Sequence, residues 1–245
     1  MRLAFRIVAG VFGVFVLGTS VPFAIGSFVD ESQDLHLIHN LSGAAVYGVL
    51  LGVGLISLAA RPESFAAVFQ GLMLASVGAL IGGLLAGDLV EGLWFIVPVV
   101  VLILFALYPG RAAFLKVGNL QPGLLVLAFA AAVPVIAYAL TQASLQANGS
   151  TLDPHVEAHH YGGQAVGSLM LLLFSFAPGL GNVGWRLAAW LAGASMAIIA
   201  LGSLAYGDHA SALDAPWAGL ALAWAVAYVT VAELAARRAR VEVPA

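Results

Sequence analysis

The stretch Asp153–Gly167, DPHVEAHHYGGQAVG, leads directly into the uninterrupted apolar residues Leu169–Leu173. Asp153 followed by Pro154 is typical of a helix start, because aspartate accepts hydrogen bonds from free backbone amides and proline fits the first helical position. The stretch also contains three of the chain's six histidines, His155, His159 and His160. It therefore predicts a histidine-rich segment at the mouth of an apolar helix.

The composition outside this stretch is that of a membrane protein. Of the 245 residues, 62% are hydrophobic and 9% are charged, and the mean hydropathy is +1.03. A soluble domain needs more charge on its surface, and a helix that crosses a bilayer needs about 20 apolar residues. We predict an all-α polytopic membrane protein with eight transmembrane helices, at about residues 3–28, 39–58, 65–86, 90–107, 123–143, 159–176, 185–206 and 217–234.

Several function classes are excluded by what the chain lacks. It contains no cysteine, so disulfides, thiolate metal sites and iron–sulfur clusters are excluded. A bound metal would need imidazole, carboxylate, amide or water ligands. No basic run is long enough to bind nucleic acid. The one lysine, Lys116, lies in a predicted loop and not in a late helix, which a retinal Schiff base would require.

The basic residues predict the orientation in the membrane. With the amino terminus inside, all nine fall on one side: Arg2, Arg6, Arg61, Arg111, Lys116, Arg186, Arg237, Arg238 and Arg240. Short loops that carry lysine and arginine stay on the cytoplasmic side. We therefore predict a protein of the plasma membrane with both termini in the cytoplasm. All six histidines and nine of the twelve acidic residues then lie on the extracytoplasmic face.

The two halves of the chain match at a constant offset of 120 residues. A similar stretch with two histidines, Asp34–Gly48 or DLHLIHNLSGAAVYG, lies earlier in the chain than Asp153–Gly167. The matched pairs include His39 with His159, Gly43 with Gly163, Gly82 with Gly202, Asp88 with Asp208 and Tyr108 with Tyr228. We predict two tandem four-helix repeats, residues 1–116 and 117–245, related by an axis along the membrane normal.

The histidines and nearby acidic residues predict a cofactor or metal site at the extracytoplasmic face. His155 and His159 are four residues apart, so one continuous helix would place them on the same face. Imidazole with carboxylate suits zinc, copper or iron, and two imidazoles across a helical bundle suit a haem iron. The candidate cofactor ligands are His39, His155, His159 and His209. The candidate metal ligands are His36, His160, Asp88, Asp208 and Glu157.

Two families are similar in layout or motif. Eight spans in tandem four-helix halves, with a histidine opening spans two and six, resemble the haem A synthase family. That resemblance implies that His39 and His159 bind haem near the outer face. The chain departs from the family's pattern after each histidine, where Asn40 and His160 stand in place of arginine. The HVEAHH sequence at 155–160 is also faintly similar to the histidine boxes of membrane di-iron hydroxylases and desaturases.

Three functions are open on the sequence alone. The first is a haem-binding or metal-binding membrane redox protein. The second is a non-haem metal-dependent hydrolase or oxidase that uses Asp88, Asp208 and the histidines. The third is a non-catalytic packing or assembly subunit, whose histidines face water or other membrane subunits. The lipid bilayer is a partner in all three, and catalytic residues are not assigned in any of them.

Overall fold

The computed structural model describes residues 1–29, 36–114 and 116–241, which form a bundle of helices without a strand. A π-helical segment, Ala44–Val53, joins the second helix to the third. The α-helices are α1 (Arg2–Val29), α2 (Leu37–Gly43), α3 (Gly54–Ala60), α4 (Ala66–Ala86), α5 (Ile96–Leu107), α6 (Arg111–Phe114), α7 (Pro122–Asn148), α8 (Pro154–Glu157), α9 (His160–Phe174), α10 (Trp185–Ala205) and α11 (Ala215–Val241).

Seven helical segments in the described ranges are long and apolar enough to cross a membrane. The second of them, Leu37–Ala60, combines α2, the π segment and α3. These segments confirm the prediction of an all-α multi-pass membrane protein. The prediction of eight full-length spans is not confirmed, because α5 has only 12 residues. At a rise of about 1.5 Å per residue it covers about 18 Å of a hydrocarbon layer of about 30 Å.

The predicted fourth span, residues 90–107, is short because its first part folds into turns. Gly87 ends α4 in the left-handed conformation with φ 71°, and Leu93 also has a positive φ of 59°. The indole Nε1 of Trp94 then donates a 3.0 Å hydrogen bond back to the carboxylate of Asp88. Residues between α4 and α5 are thereby held in a compact loop, and α5 begins only at Ile96.

The centre of the bundle is the contact between α4 and α9, the most buried pair of spans. Glycines of α4 let the two helices approach. A Cβ on Gly78 would lie 2.6 Å from the carbonyl of Leu169, and a Cβ on Gly82 would lie 2.7 Å from the Cα of Val166. Small residues at such positions allow close backbone packing in lipid. α9, which begins at the histidine-rich stretch, is therefore fixed rigidly to α4.

Basic residues and histidines lie at opposite ends of the bundle. Near the start of α1, Arg6 Nε donates a 2.7 Å hydrogen bond to the carbonyl of Ala59 at the end of α3. Arg186, near the start of α10, pairs with Glu233 of α11 at 2.6 Å. α1 runs from this end toward the end where His36 precedes α2. The charge separation expected from the sequence is therefore also a separation in space.

Candidate metal centre

Three histidines converge at the histidine end of the bundle: His36, His39 and His160. One ring nitrogen of each lies within 4.8 Å of the others. The ring of His160 lies edge-on to that of His36, with 4.4 Å between centroids, and is stacked on that of His39 at 4.8 Å and 25°. His36 and His39 come from the start of the second span and His160 from the start of α9. Two histidine stretches distant in sequence thus form one group.

All three histidines have a buried ring nitrogen without a hydrogen-bond partner, and in each it is Nδ1. Buried polar atoms in proteins are almost always hydrogen-bonded, because an unsatisfied one costs about 1–3 kcal/mol. Three unsatisfied atoms of the same kind in one group need a physical reason. A metal ion bound by imidazole lone pairs would supply it.

A chain of hydrogen bonds fixes the orientation of His39. The Ser211 hydroxyl donates to Gln142 Oε1 at 2.7 Å, so its oxygen accepts from His39 Nε2 at 3.1 Å. This direction puts the ring proton on Nε2 and leaves the lone pair on Nδ1. Ser211 has a positive φ of 65°, and Tyr138 holds it by donating to its carbonyl at 2.8 Å. Hydrogen bonds of this kind orient the histidine ligands of metal sites.

His155 borders the group and is itself held by a carboxylate. Its ring centroid lies 5.0 Å from that of His39 and 5.3 Å from that of His36. Its Nδ1 donates to Asp153 Oδ1 at 3.0 Å, and its side chain is 7% exposed. The backbone amide of His155 and then its ring, by donating to the carboxylate, lower the pKa of Asp153. A carboxylate on the far side of a histidine is the usual second partner in metal sites.

The ring nitrogens are somewhat farther apart than in a metal-bound state. Four tetrahedral nitrogen ligands at about 2.0–2.1 Å from zinc lie about 3.3 Å from one another. The three nitrogens here lie within 4.8 Å, so small rotations of the rings would complete a site. Burial and the neighbouring His155 lower the pKa of His36, which favours the neutral form that a metal requires.

His159 does not join this group, contrary to the helical geometry expected from the sequence. α8 ends at Glu157, and His159 adopts the left-handed conformation with φ 58° before α9 begins. The predicted face shared by His155 and His159 therefore does not form. The break turns His160 toward the group instead. The left-handed region is unfavourable for a residue with a Cβ, and such strain is concentrated at functional sites.

His159 lies instead beside Asp88. Its Nδ1 is 3.3 Å from Asp88 Oδ2, and Trp94 donates to the other carboxylate oxygen. Asp88 is 4% exposed, and burial raises the pKa of its carboxyl group against the opposing effects of Trp94 and His159. A Cβ on Gly162 would lie 2.2 Å from the carboxylate, so only glycine leaves room for it. These residues form a second polar pair next to the three-histidine group.

The other predicted ligands lie outside the group. Asp208 and Glu157 are exposed to solvent. His209 packs edge-on against the ring of Tyr206, with 5.7 Å between centroids. Within the described ranges, the structure thus brings together His36, His39 and His160, with His155 beside them. Asp208, Glu157 and His209 lie outside this group.

A cleft of about 420 Å³ adjoins the three-histidine group. His39, His159 and His160 line one end of it. Its walls come from α1, the π segment, α9 and the start of α5, and they are mainly apolar. Tyr47 of the π segment also lines the cleft, stacks parallel to Trp94 at 6.5 Å, and has a buried hydroxyl without a hydrogen-bond partner. π-helical segments inside α-helices are frequent at functional sites.

Sequence reasoning missed three residues that position the site. Ser211 and Gln142 orient His39, and Trp94 holds the loop around Asp88. Ser211 carries no signal of its own, since it lies in a polar loop far from either histidine stretch. Gln142 could have been identified from the sequence, because it is an amide side chain inside a predicted apolar span. Comparison with protein-family models, curated proteins and solved structures found no match.

Proposed function

We propose that the protein binds one transition-metal ion on His36, His39 and His160, at the extracytoplasmic end of a multi-pass protein of the plasma membrane. The observation that carries the proposal is the convergence of three ring nitrogens within 4.8 Å. The three buried Nδ1 atoms without partners support it independently. His155, oriented by Asp153, is the candidate fourth ligand or tuning residue.

The ligand set narrows the choice of metal. Imidazole nitrogens suit zinc, copper, iron and nickel, and the group contains no oxygen ligand of the kind magnesium or calcium requires. Three protein ligands with a further position facing a cleft is the arrangement of catalytic metal sites. Copper or iron in this place would support redox chemistry, and zinc would support activation of a bound water. We favour copper or zinc for a site made only of imidazoles.

Haem remains a separate proposal that rests on the resemblance to haem A synthases. It requires His39 and His159 as the ligands of one iron. His39 belongs to the three-histidine group, whereas His159 lies beside Asp88, with its Nδ1 3.3 Å from Oδ2. These different surroundings favour a single ion over a haem shared by His39 and His159. An absorption spectrum separates the two, because only haem gives a Soret band.

The topology that we propose has two tandem repeats and cytoplasmic termini. The helix bounds support the repeats, since α1 begins at residue 2 and α7 at residue 122, at the predicted offset. The packing supports them as well, because α4 contacts α9 and α10 contacts the span that contains α2. The orientation is supported by the nine basic residues that the sequence assigns to one side.

Elemental analysis with single-histidine variants tests the metal proposal. Wild-type protein purified without added chelator is expected to contain about one zinc or copper ion per chain, in line with a single His₃ site. His36→Ala, His39→Ala and His160→Ala should each lose the ion. His209→Ala is the matched control, because His209 lies at the same end but outside the group. If wild-type protein is colourless and takes up no zinc, copper or iron on titration, the proposal is wrong, and a packing or assembly role becomes the better reading.

A further inference from the structure

The cleft beside the three-histidine group is long and has two unlike ends. His39 marks one end, and Leu51, twelve residues later in the same span, marks the other. That separation corresponds to roughly 15–18 Å along a helix axis. Its volume of about 420 Å³ is within the range of small-molecule sites, which is about 300–1,000 Å³. Such a shape suits an extended chain better than a compact ring system.

Polar groups are concentrated at the histidine end. His39, which is 6% exposed, and His160 reach the cleft there, and both have an Nδ1 without a partner. Asn40, next to His39 in the chain, also lines the cleft, and Tyr47, about two turns later, lines it with a buried hydroxyl. Farther along the span, the lining is mainly aliphatic, with side chains such as Val16, Val46, Leu51 and Ile199, and it includes the hydroxyls of Ser20 and Ser168. The cleft therefore matches a ligand with a polar head and an apolar tail.

The cleft is bordered by surface that faces lipid. Phe23 of α1 is 64% exposed and also lines the cleft, and Thr19, one turn earlier, is exposed as well. On the other side, α5 begins only at Ile96, and the cleft is lined there by Trp94 of the preceding loop and by Val97 in the first turn of α5. The exposed residues of α1 that line the cleft are therefore the place where a ligand could enter from the hydrocarbon layer.

We propose that the cleft binds a single-chain amphiphile of the fatty-acid type. Its oxygen-containing head lies at the three-histidine group, and its chain lies between α1 and the π segment. Zinc, which imidazole binds, also takes carboxylate oxygens as ligands, at about 2.0–2.2 Å. The inference rests on the proposed function for the position of the head, because it uses the open coordination position of the metal. It adds the class of ligand and the route by which that ligand enters.

Photolabelling in lipid nanodiscs tests the inference. The probe is palmitic acid with a diazirine in the middle of its chain, which inserts on illumination into the side chains that it touches. Peptide mapping should locate the label on residues that line the cleft, such as Val46 or Ile199. An excess of unlabelled palmitic acid should remove that label. Absence of label from the cleft, or label that unmodified palmitic acid does not displace, would overturn the inference.

A cleft-filling variant and a matched control make the test specific. Gly43 lines the cleft, and a Cβ there would meet only Tyr47 Cδ2 at 3.9 Å, so Gly43→Leu introduces a side chain at the cleft without a clash at its Cβ. Gly18 of α1 has nothing within 4 Å and does not line the cleft, so Gly18→Leu is the control. Gly43→Leu should reduce labelling about tenfold, as overpacking of a site by one side chain does, and Gly18→Leu should not. Equal labelling of both variants would contradict the inference.

Metal content measured on the same samples separates the two proposals. If Gly43→Leu keeps its metal and loses the label, both proposals are supported. If the wild type keeps its metal but its cleft is not labelled, the ligand inference fails and the metal site stands. If the wild type lacks metal and its cleft is labelled, the apolar part of the inference stands and the proposed metal function fails.

Discussion

His39 and His159 stand at matching positions in the two halves of the sequence, but the fold places them in different surroundings. His39 is buried within a regular helix, is oriented by Ser211, and joins the three-histidine group. His159 adopts a left-handed conformation between two helices and lies beside Asp88. It is His160, the next residue, that meets His39. A match between two stretches of sequence therefore located the site to within one residue but did not identify the ligand.

Of two other pairs at the same offset, one has similar surroundings in both halves and the other does not. Tyr108 and Tyr228 are both fully buried, and each donates to a backbone carbonyl, of Pro62 and of Ser175 respectively. Asp88 is buried whereas Asp208 is exposed. Where the two halves pack similarly, matched residues have similar roles. Where a loop or helix end differs, the roles diverge, and most of the candidate site lies in such places.

The largest expected effect is on metal binding by the two matched histidines. His39→Ala should lose the bound ion, because it removes one of the three proposed ligands. His159→Ala should keep it, because His159 lies outside the group. Elemental analysis of both purified variants measures the difference. Loss of the ion in both variants would contradict the comparison and favour the pairing of His39 with His159 that the haem resemblance implies.

The next effect concerns the matched glycines Gly82 and Gly202. Gly82→Ala places a Cβ 2.7 Å from the Cα of Val166, so α4 and α9 must move apart. At Gly202 the nearest atom is the end of the flexible Leu41 side chain, at 2.9 Å. We expect Gly82→Ala to lower the free energy of unfolding by about 3 kcal/mol and Gly202→Ala by less than about 1 kcal/mol. Denaturation in mixed micelles measures both, and equal losses would show that the α4–α9 contact is not tight.

A smaller effect is expected for the matched carboxylates. Asp88→Ala removes the acceptor for Trp94 Nε1 in a buried place and should lower the free energy of unfolding by about 1–3 kcal/mol. Asp208→Ala changes an exposed residue and should alter the free energy of unfolding by less than about 0.5 kcal/mol. Thermal unfolding of both variants in the same detergent compares them. A similar stability of the two variants would mean that Asp88 contributes nothing through its hydrogen bond.

The smallest effect is the pH dependence from Asp153, whose pKa is lowered in the folded protein. A carboxyl with a depressed folded pKa stabilises the fold above its unfolded pKa, about 3.9, and this contribution disappears as the pH falls through the folded value. Asp153→Ala should therefore cost about 1 kcal/mol at pH 7, as the loss of a helix cap does. The cost should vanish well below pH 4. Melting temperatures of the two proteins across this pH range test the sign, and a cost that grows on acidification would contradict it.

Much of the architecture could be predicted because it depends on local composition. Apolar runs of about 20 residues predict helices in a bilayer wherever they occur, and seven of the eight predicted spans are present as long helices. The eighth is short, since the turns around Gly87 and Leu93 depend on the Trp94–Asp88 hydrogen bond. Residue type and spacing alone do not show that a tryptophan will fold back in this way.

The candidate site was only partly predictable for a related reason. The histidine-rich stretches were visible, and so was their location on one face of the membrane. The orientation of each ring was not, because it depends on the break at His159 and on Ser211 from a distant loop. A spacing of four residues indicates a shared face only if the helix is continuous. Here the helix is interrupted at His159, because α8 ends at Glu157 and α9 begins only at His160.

By itself the sequence determined that this protein crosses the membrane as helices and that its histidines and basic residues lie at opposite ends. Hydropathy and charge act along the chain, so they can be read without knowing which helices touch. Only the tertiary structure decided which imidazoles meet, which carboxylate is buried, and where an apolar cleft opens. Those outcomes depend on contacts between residues far apart in sequence, such as His39 with His160 and Ser211, and each contact depends on how the helices pack.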